Sequence, residues 1–430
     1  MASRNDVDVL VDGHADHHRH LAILAMTGAG KSWTSRRIIE QLAEKNYPIV
    51  IFDPHGDYTG LSDVIGMGAR VRRYYAHFPI FDEDSETVAS IVSSLAYELS
   101  STMRTRFGEV FAAARRFLSE DAAENRERTE WLIERIGKPD LRQFGLERNL
   151  WLVSYLAEAG DVLVRERDRE NLDQLADWCW PELRSYTPTD ARTLEGIKKR
   201  SARAAWTLSR MEQTNRRIAG EAKPLPTDRR ELVQHGQVSI VSLAGYTSDF
   251  QATIYTVIAD DLFNARVRND LAMPVLLVLE EAHTFSPGRA MTPAEQRSVL
   301  TTRQIAQEGR KFNVGLVLIS QRPSRLDETT LSQCNSYVIM RLVNPADQSF
   351  VCKVIETMGE NEARMLPDLD VGEALLAGQM INFPVLARVK PPLSKGEREE
   401  EDAFALLERM RHQKPGPKSA INGQPARKPR

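Results

Sequence analysis

The apolar positions of this chain follow two rhythms. In the first and last parts of the sequence, short apolar runs stand between turns rich in glycine, proline and acid: the run beginning at His20, Pro48 to Phe52, Val238 to Leu243, Val275 to Leu279, Val314 to Ile319 and Ser336 to Leu342. Runs of this length predict buried strands. Between them lie helix-compatible stretches: Ser32 to Glu44 with Ile38, Ile39 and Leu42 on one face, Gln251 to Arg266, a charged helix over 292–312, and a start at Asn344-Pro345-Ala346-Asp347. Strand, loop, helix, strand is the opening of an α/β domain with a central, mainly parallel sheet, whose ligands gather at the carboxyl ends of the strands.

The second rhythm occupies residues 82–234. Charged residues rise, strand-like runs vanish, and apolar residues recur at helical spacing in Val88 to Leu99, Phe107 to Leu118, Arg126 to Ile136 and Leu146 to Leu156. This predicts a helical insertion of about 150 residues inside the α/β domain. The expected division is 1–81 and 235–395 for the two parts of the core, 82–234 for the insertion, 396–412 for a C-terminal helix and 413–430 for a disordered basic tail. Glu373 to Leu376, Met380 to Ile381 and Val385 to Val389 read as an edge hairpin. Before the first strand, His14, His17, His18 and His20, with Asp12 and Asp16, are either metal ligands or a polar lead-in.

The chemistry begins where the first run breaks into Thr27-Gly28-Ala29-Gly30-Lys31-Ser32-Trp33. Glycines at 28 and 30 let successive N–H groups face inward as donors for phosphate oxygens at a helix N-terminus. Lys31 adds a point charge, and the Ser32 hydroxyl is placed to ligate Mg²⁺. Ala25 stands where the G-x-x-x-x-G-K-[ST] pattern has its first glycine, which implies a modest adjustment of the turn.

Other candidates sit at strand ends. Asp53-Pro54-His55-Gly56-Asp57-Tyr58 is either a plain turn or a loop placing carboxylates, Asp53 first, beside Mg²⁺ or the attacking water. Glu280 and Glu281 end a run of five apolar residues; the first suits Mg²⁺ and the second suits polarising water, with glutamate replacing the more usual aspartate at 280. Gln321, after another buried run, is either a γ-phosphate sensor or a loop residue. Arg310, in Glu308-Gly309-Arg310-Lys311, is either an intersubunit arginine finger or a surface guanidinium. The stretch Ala191 to Arg217 carries Arg192, Lys198, Lys199, Arg200, Arg203, Arg210, Arg216 and Arg217, either a DNA-facing surface or a solvated basic face.

Charge and composition narrow the field. A net charge of −3 from 57 basic and 60 acidic residues gives no global nucleic-acid signal, so DNA contact must come from local patches or from a pore built by several subunits. Three cysteines, Cys179, Cys334 and Cys352, without C-x-x-C spacing argue against a disulfide framework and a thiolate zinc site. No run reaches eighteen apolar residues and no signal-peptide pattern opens the chain, so a cytoplasmic protein without a membrane anchor is expected.

Taken together, the phosphate loop, the 53–58 loop, Glu280-Glu281-Ala282-His283, Glu308-Gly309-Arg310-Lys311, and Ser320-Gln321-Arg322-Pro323-Ser324 with Leu331-Ser332-Gln333-Cys334 resemble the HerA family of DNA-translocating ATPases, within the FtsK/HerA group. The islands span about three fifths of the chain, and the helical stretch matches only in kind. The resemblance implies a RecA-like P-loop NTPase sheet, a homo-hexameric ring, ATP and Mg²⁺ as cofactors, and movement along double- or single-stranded DNA in end processing, repair or anti-phage defence. It implies a nuclease partner of the NurA kind or another effector. It gives Lys31 and Ser32 to phosphates and Mg²⁺, Glu281 to the water, Gln321 to the γ-phosphate, and Arg310 to the neighbour's ATP. HerA proteins usually carry an N-terminal β-barrel, whereas about twenty residues precede the first strand here; a shortened chain or a partner in the barrel's place is the expectation. A protein-pumping ATPase of the secretion or conjugation type is a competing reading, as is a nucleotide switch that scaffolds an effector, against which the paired glutamates argue.

Overall fold

The computed structural model describes residues 20–394, apart from 65, 69, 78, 79, 120, 145 and 382, together with residue 407. The clustered histidines before His20, the expected helix Glu397 to Arg411 and the basic tail lie outside the described residues.

Ten strands form one sheet: β1 (His20–Leu24), β2 (Ile49–Asp53), β3 (Val71–Tyr75), β4 (Lys223–Pro224), β5 (Val238–Ser242), β6 (Val275–Leu279), β7 (Val314–Ser320), β8 (Ser336–Ile339), β9 (Glu373–Gly378) and β10 (Val385–Arg388). Their order is β10-β9-β8-β1-β7-β6-β2-β5-β3-β4. From β8 to β4 every pairing is parallel, and β9 and β10 continue the edge antiparallel. The fold is therefore that of a RecA-like P-loop NTPase, as expected. The edge hairpin forms from Glu373 and Val385, while Met380 and Ile381 fall in its turn. Strand β3 was invisible to the apolar pattern, because VRRYY places Arg72 and Arg73 in a strand near the sheet edge, where one side is solvated.

The parallel registers set the working edge. Leu24 pairs with Ser320 and Ile339, Asp53 with Ser242, and Phe52 with Leu279, so the carboxyl ends of β1, β2, β6 and β7 lie side by side. Alternate residues of these strands feed opposite faces. Ile23, Ile51, Val278 and Ile319 pack with Ile39 and Ala43 of helix α1 (Lys31–Glu44) and with Tyr58 and Leu61.

Leu24, Phe52, Leu279 and Leu318 instead join a large core shared with most of the other helices. Between β3 and β5 these are α2 (Ser85–Leu95), α3 (Ser101–Phe117), α4 (Ala122–Ile136), α5 (Leu141–Phe144), α6 (Leu150–Glu166), α7 (Arg169–Trp178) and α8 (Ala191–Ala219). They are followed by α9 (Ser248–Val267) and α10 (Pro293–Glu308). Asp84, Ser100, Asp121, Asn149 and Asp168 accept hydrogen bonds from first-turn amides, which fixes where α2, α3, α4, α6 and α7 begin. Phe107, Phe111, Leu152, Leu156, Leu194 and Ile197 belong to the same apolar cluster as the sheet residues, so these helices share a continuous core with the sheet.

Candidate functional site

The loop after β1 is made by backbone geometry. Ala25 directly follows β1: its N–H donates to Ser320 O (3.2 Å) and its methyl is buried in the α1-side core. Positive φ begins only at Gly28 (80°) and recurs at Gly30 (102°), so alanine at 25 meets no conformational demand that only glycine satisfies. A side chain at Gly30 would press within 3.2 Å of Met340 and 3.4 Å of the Gly372 backbone; around Gly28 the space is open. Gly30 caps α1, and Lys31 and Ser32 are its first two residues.

Strand β6, buried throughout, brings Glu280 and Glu281 to this turn. The Lys31 ammonium lies between them, donating to Glu280 Oε1 and to Glu281 Oε1, the latter at 2.8 Å. Burial alone would lower the lysine's affinity for its proton, but the two carboxylates outweigh it and hold the ammonium more firmly charged than usual. Glu280 is wholly buried, and burial raises its carboxyl above the ordinary value despite Lys31. For Glu281 burial pushes upward as well, yet Lys31, Gln321 and His283 prevail and hold it low.

The backbone of Glu281 is left-handed, with φ 51° and ψ 53°. Such a conformation is costly for a residue with a Cβ and persists where the surroundings enforce it. Here it turns the side chain back toward the phosphate loop. Gln321, just past β7, donates from Nε2 to Glu281 Oε1 and accepts at Oε1 from the Thr27 hydroxyl. One amide thus joins the catalytic carboxylate candidate to the loop. Glu281 Oε2 is buried without a hydrogen bond among the described residues, and His283 Nδ1 lies 3.3 Å away. Burial lowers the His283 pKa, so the imidazole is neutral at pH 7.

The structure therefore gathers Thr27, Gly28, Ala29, Gly30, Lys31, Ser32, Glu280, Glu281 and Gln321 at one edge. Trp33 is exposed on α1, and Ser32 is half-buried beside it. Asp53 is buried at the same edge, but its carboxylate is occupied by the loop it starts: Oδ1 accepts from the amides of His55 (3.2 Å), Gly56 (2.8 Å) and Asp57 (3.2 Å), and Oδ2 from that of Tyr58 (3.3 Å). This turn delivers Tyr58, a residue with no individual role in the sequence reading. Its hydroxyl donates to Glu280 Oε2 (2.5 Å) and has Ser35 Oγ 2.9 Å away. The signal was present as the close of the acidic loop, five residues after Asp53. Arg310 stands apart: it is exposed at the amino end of β7, about 20 Å along that strand from the Gln321 edge.

A family model described as the central domain of helicase HerA matches residues 1–262. The chain belongs to the HerA family. Among curated relatives it is 27% identical over 416 residues to the DNA double-strand break repair helicase HerA of Pyrococcus furiosus, covering 90% of this chain and 68% of that one. It is also 27% identical over 385 residues to the probable helicase MJECL08 of Methanocaldococcus jannaschii, covering 86% and 66% respectively. This HerA-family chain thus spans about two thirds of the length of the relatives it matches. Solved structures agree on the fold alone. VirB4 of Thermoanaerobacter pseudethanolicus matches with TM-score 0.53 and 14% identity, covering 86% of this chain and 89% of that one. The plasmid coupling protein TrwB in complex with ADP and Mg²⁺ matches with TM-score 0.51 and 13% identity, covering 90% and 88%. Among the described residues no helix is long and apolar enough to cross a membrane.

Proposed function

We propose that this HerA-family chain is the ATPase of a DNA translocase or helicase, acting as a hexameric ring in the cytoplasm. The observation that carries the reading is the single network Thr27–Gln321–Glu281–Lys31–Glu280, which ties the phosphate loop to two buried carboxylates and a polar amide. The positive-φ glycines leave open space over Gly28, and Lys31 with the first amides of α1 faces the same turn, a donor set suited to the β- and γ-phosphates of ATP. Ser32, half-buried at the start of α1, and Glu280, whose Oε1 would be freed once Lys31 turned to phosphate, are the residues that would hold Mg²⁺. The ion, when bound, neutralises charge developing on the phosphates.

The chain's own residues then divide the work. Phosphate draws Lys31 from the carboxylates, leaving Glu281 to take a proton from the attacking water. Its ionised state and its oxygen without a hydrogen bond suit that task. Gln321, tethered to Thr27, orients the water or senses the γ-phosphate. Arg310, on the far edge of its own sheet, serves a neighbouring subunit's ATP. Residues 82–234 are an insertion in the ATPase core, and a nuclease or other effector completes the machine in end processing, repair or defence.

The test is ATP turnover with and without duplex and single-stranded DNA at low salt, on material whose assembly mass has been measured. Turnover unmoved by saturating DNA of either kind would sink the motor reading.

A further inference from the structure

The basic stretch singled out in the sequence becomes one continuous helix, α8, 29 residues long. Its cations separate into two groups. Lys198 turns inward to Glu158 (2.5 Å), and Arg200 donates to the Glu98 carbonyl (3.2 Å). Lys199, Arg203, Trp206, Arg210, Gln213 and Arg217 are all exposed and recur at alternating intervals of four and three residues. That spacing aligns them in one stripe about 27 Å long.

On neighbouring helices, Arg106 meets Glu109 and Asp190, and Arg165 meets Asp161 and Glu195. Arg203, Arg210 and Arg217 have no carboxylate within ion-pair distance among the described residues, and only Lys199, at the start of the stripe, is paired, with Glu195. One exposed aromatic ring stands in the stripe and another beside it: Arg210 lies 4.8 Å from the Trp206 ring centre, and Arg203 lies 5.1 Å from that of Tyr97, which is outside α8. Three guanidinium groups without a carboxylate partner, at regular spacing and two of them held over aromatic rings, form a surface complementary to a phosphate backbone.

The stripe is also stapled to the ATPase. Asn215, buried on the opposite side of α8, accepts from Ala76 N (2.9 Å) and donates to Ser242 O (3.0 Å) and Ala244 O (2.8 Å), at the carboxyl ends of β3 and β5. Ser242 is in register with Asp53, the residue that organises the loop presenting Tyr58 to Glu280.

We propose that the outward stripe of α8 is a sequence-independent contact for the nucleic-acid backbone. The inference rests on the DNA-motor reading. Its test is binding of fluorescent 30-base-pair duplex and 30-nucleotide single strand to the full chain across a salt series, wild type against Arg203→Ala/Arg210→Ala/Arg217→Ala. Because these side chains are exposed and unpaired, the triple variant is expected to unfold at the wild-type temperature. Loss of three phosphate contacts should weaken binding at low salt by at least about tenfold and flatten the slope of log affinity against log salt by roughly 2 to 3. Loss confined to one of the two DNAs supports the stripe and names its substrate. Wild-type binding with an unchanged affinity and slope in the variant overturns the stripe while leaving the motor intact. Loss of binding to vesicles of phosphatidylserine and phosphatidylcholine, with DNA binding untouched, also overturns it. Wild type that binds neither DNA would instead undo the motor reading itself.

Discussion

The ammonium of Lys31 lies between Glu280 and Glu281, 2.8 Å from the nearer oxygen of the latter, and all three groups are buried. Among the described residues, the lysine that would bind phosphate is therefore also the one ammonium lying against these two carboxylates, which water barely reaches. Removing one partner of such a buried set strands the others. Lys31→Met is expected to lower the unfolding free energy by about 3 to 5 kcal/mol in addition to abolishing nucleotide binding. Burial already raises the Glu280 pKa, and without Lys31 the native state would bind a proton there more readily than the unfolded chain. The variant's stability should fall as pH rises from about 5 to 8, with Glu280→Gln restoring part of it. Urea unfolding at the two pH values measures both effects; a variant as stable as wild type at pH 8 would contradict the buried triad.

Glu281→Gln keeps the shape of the side chain and removes its basicity. ATP binding should survive, with turnover lowered by about 10² to 10⁴, the usual contribution of a general base. Single-turnover hydrolysis beside nucleotide-binding titration separates the two, and hydrolysis at the wild-type rate would remove Glu281 from its assigned role.

The pH profile distinguishes the base from its neighbour. Burial tends to raise the Glu281 pKa, but Lys31 and Gln321 hold it below the ordinary 4.5, while burial holds His283 below the ordinary 6.5. Activity carried by ionised Glu281 is lost as pH falls through that low value. The value of kcat/KM, which reports the free enzyme in which Lys31 still faces Glu281, should thus stay level from about pH 6 to 8 and decline only in more acid solution. An acid limb that disappears in His283→Asn would assign it to His283 instead.

These expectations also mark what the sequence could and could not reveal. The phosphate loop, the paired glutamates and Gln321 were legible because each follows a buried apolar run, and parallel strands bring such ends to one edge. Ala25 looked anomalous only in a one-dimensional pattern; in three dimensions it continues from β1 as a buried residue whose N–H bonds Ser320 O. The left-handed turn at Glu281 left no trace, since glutamate is not a residue that announces positive φ. Tyr58 was hidden for another reason: its partner Glu280 is more than two hundred residues away, and only the Asp53-centred loop aims the phenol at it. The outward stripe of α8 was legible as charge, but which cations face solvent depended on partners elsewhere in the fold, the Glu158 carboxylate for Lys198 and the Glu98 carbonyl for Arg200.

The Thr27–Gln321–Glu281 chain predicts coupling between residues from three separate strands' ends. Thr27→Val removes the hydroxyl at constant size, and Gln321→Ala removes the amide. Each should lower turnover, by about tenfold and a hundredfold respectively, with little change in KM for ATP. The double variant should be no worse than Gln321→Ala alone, because Thr27 acts through the amide. Strictly multiplicative losses would mean that the two act independently.

Arg310 supplies the sharpest test of a ring. It sits at the amino end of β7, whereas its own phosphate loop adjoins the carboxyl end, about 20 Å away along the strand. A side chain of that length cannot span the sheet, so any role in hydrolysis has to be exercised on another subunit. Arg310→Ala should then lower turnover while leaving ATP affinity within a few fold, since the finger acts on transition-state charge. The decisive measurement mixes it with Glu281→Gln. In a mixed ring, some interfaces pair an intact Glu281 from one subunit with an intact Arg310 from its neighbour, so activity should rise above that of either variant alone. It should peak near equal proportions and vanish when assembly is prevented by dilution. Mixtures that never exceed the sum of the separate activities, at concentrations where mass confirms rings, would leave Arg310 as a surface guanidinium and the site complete within one chain.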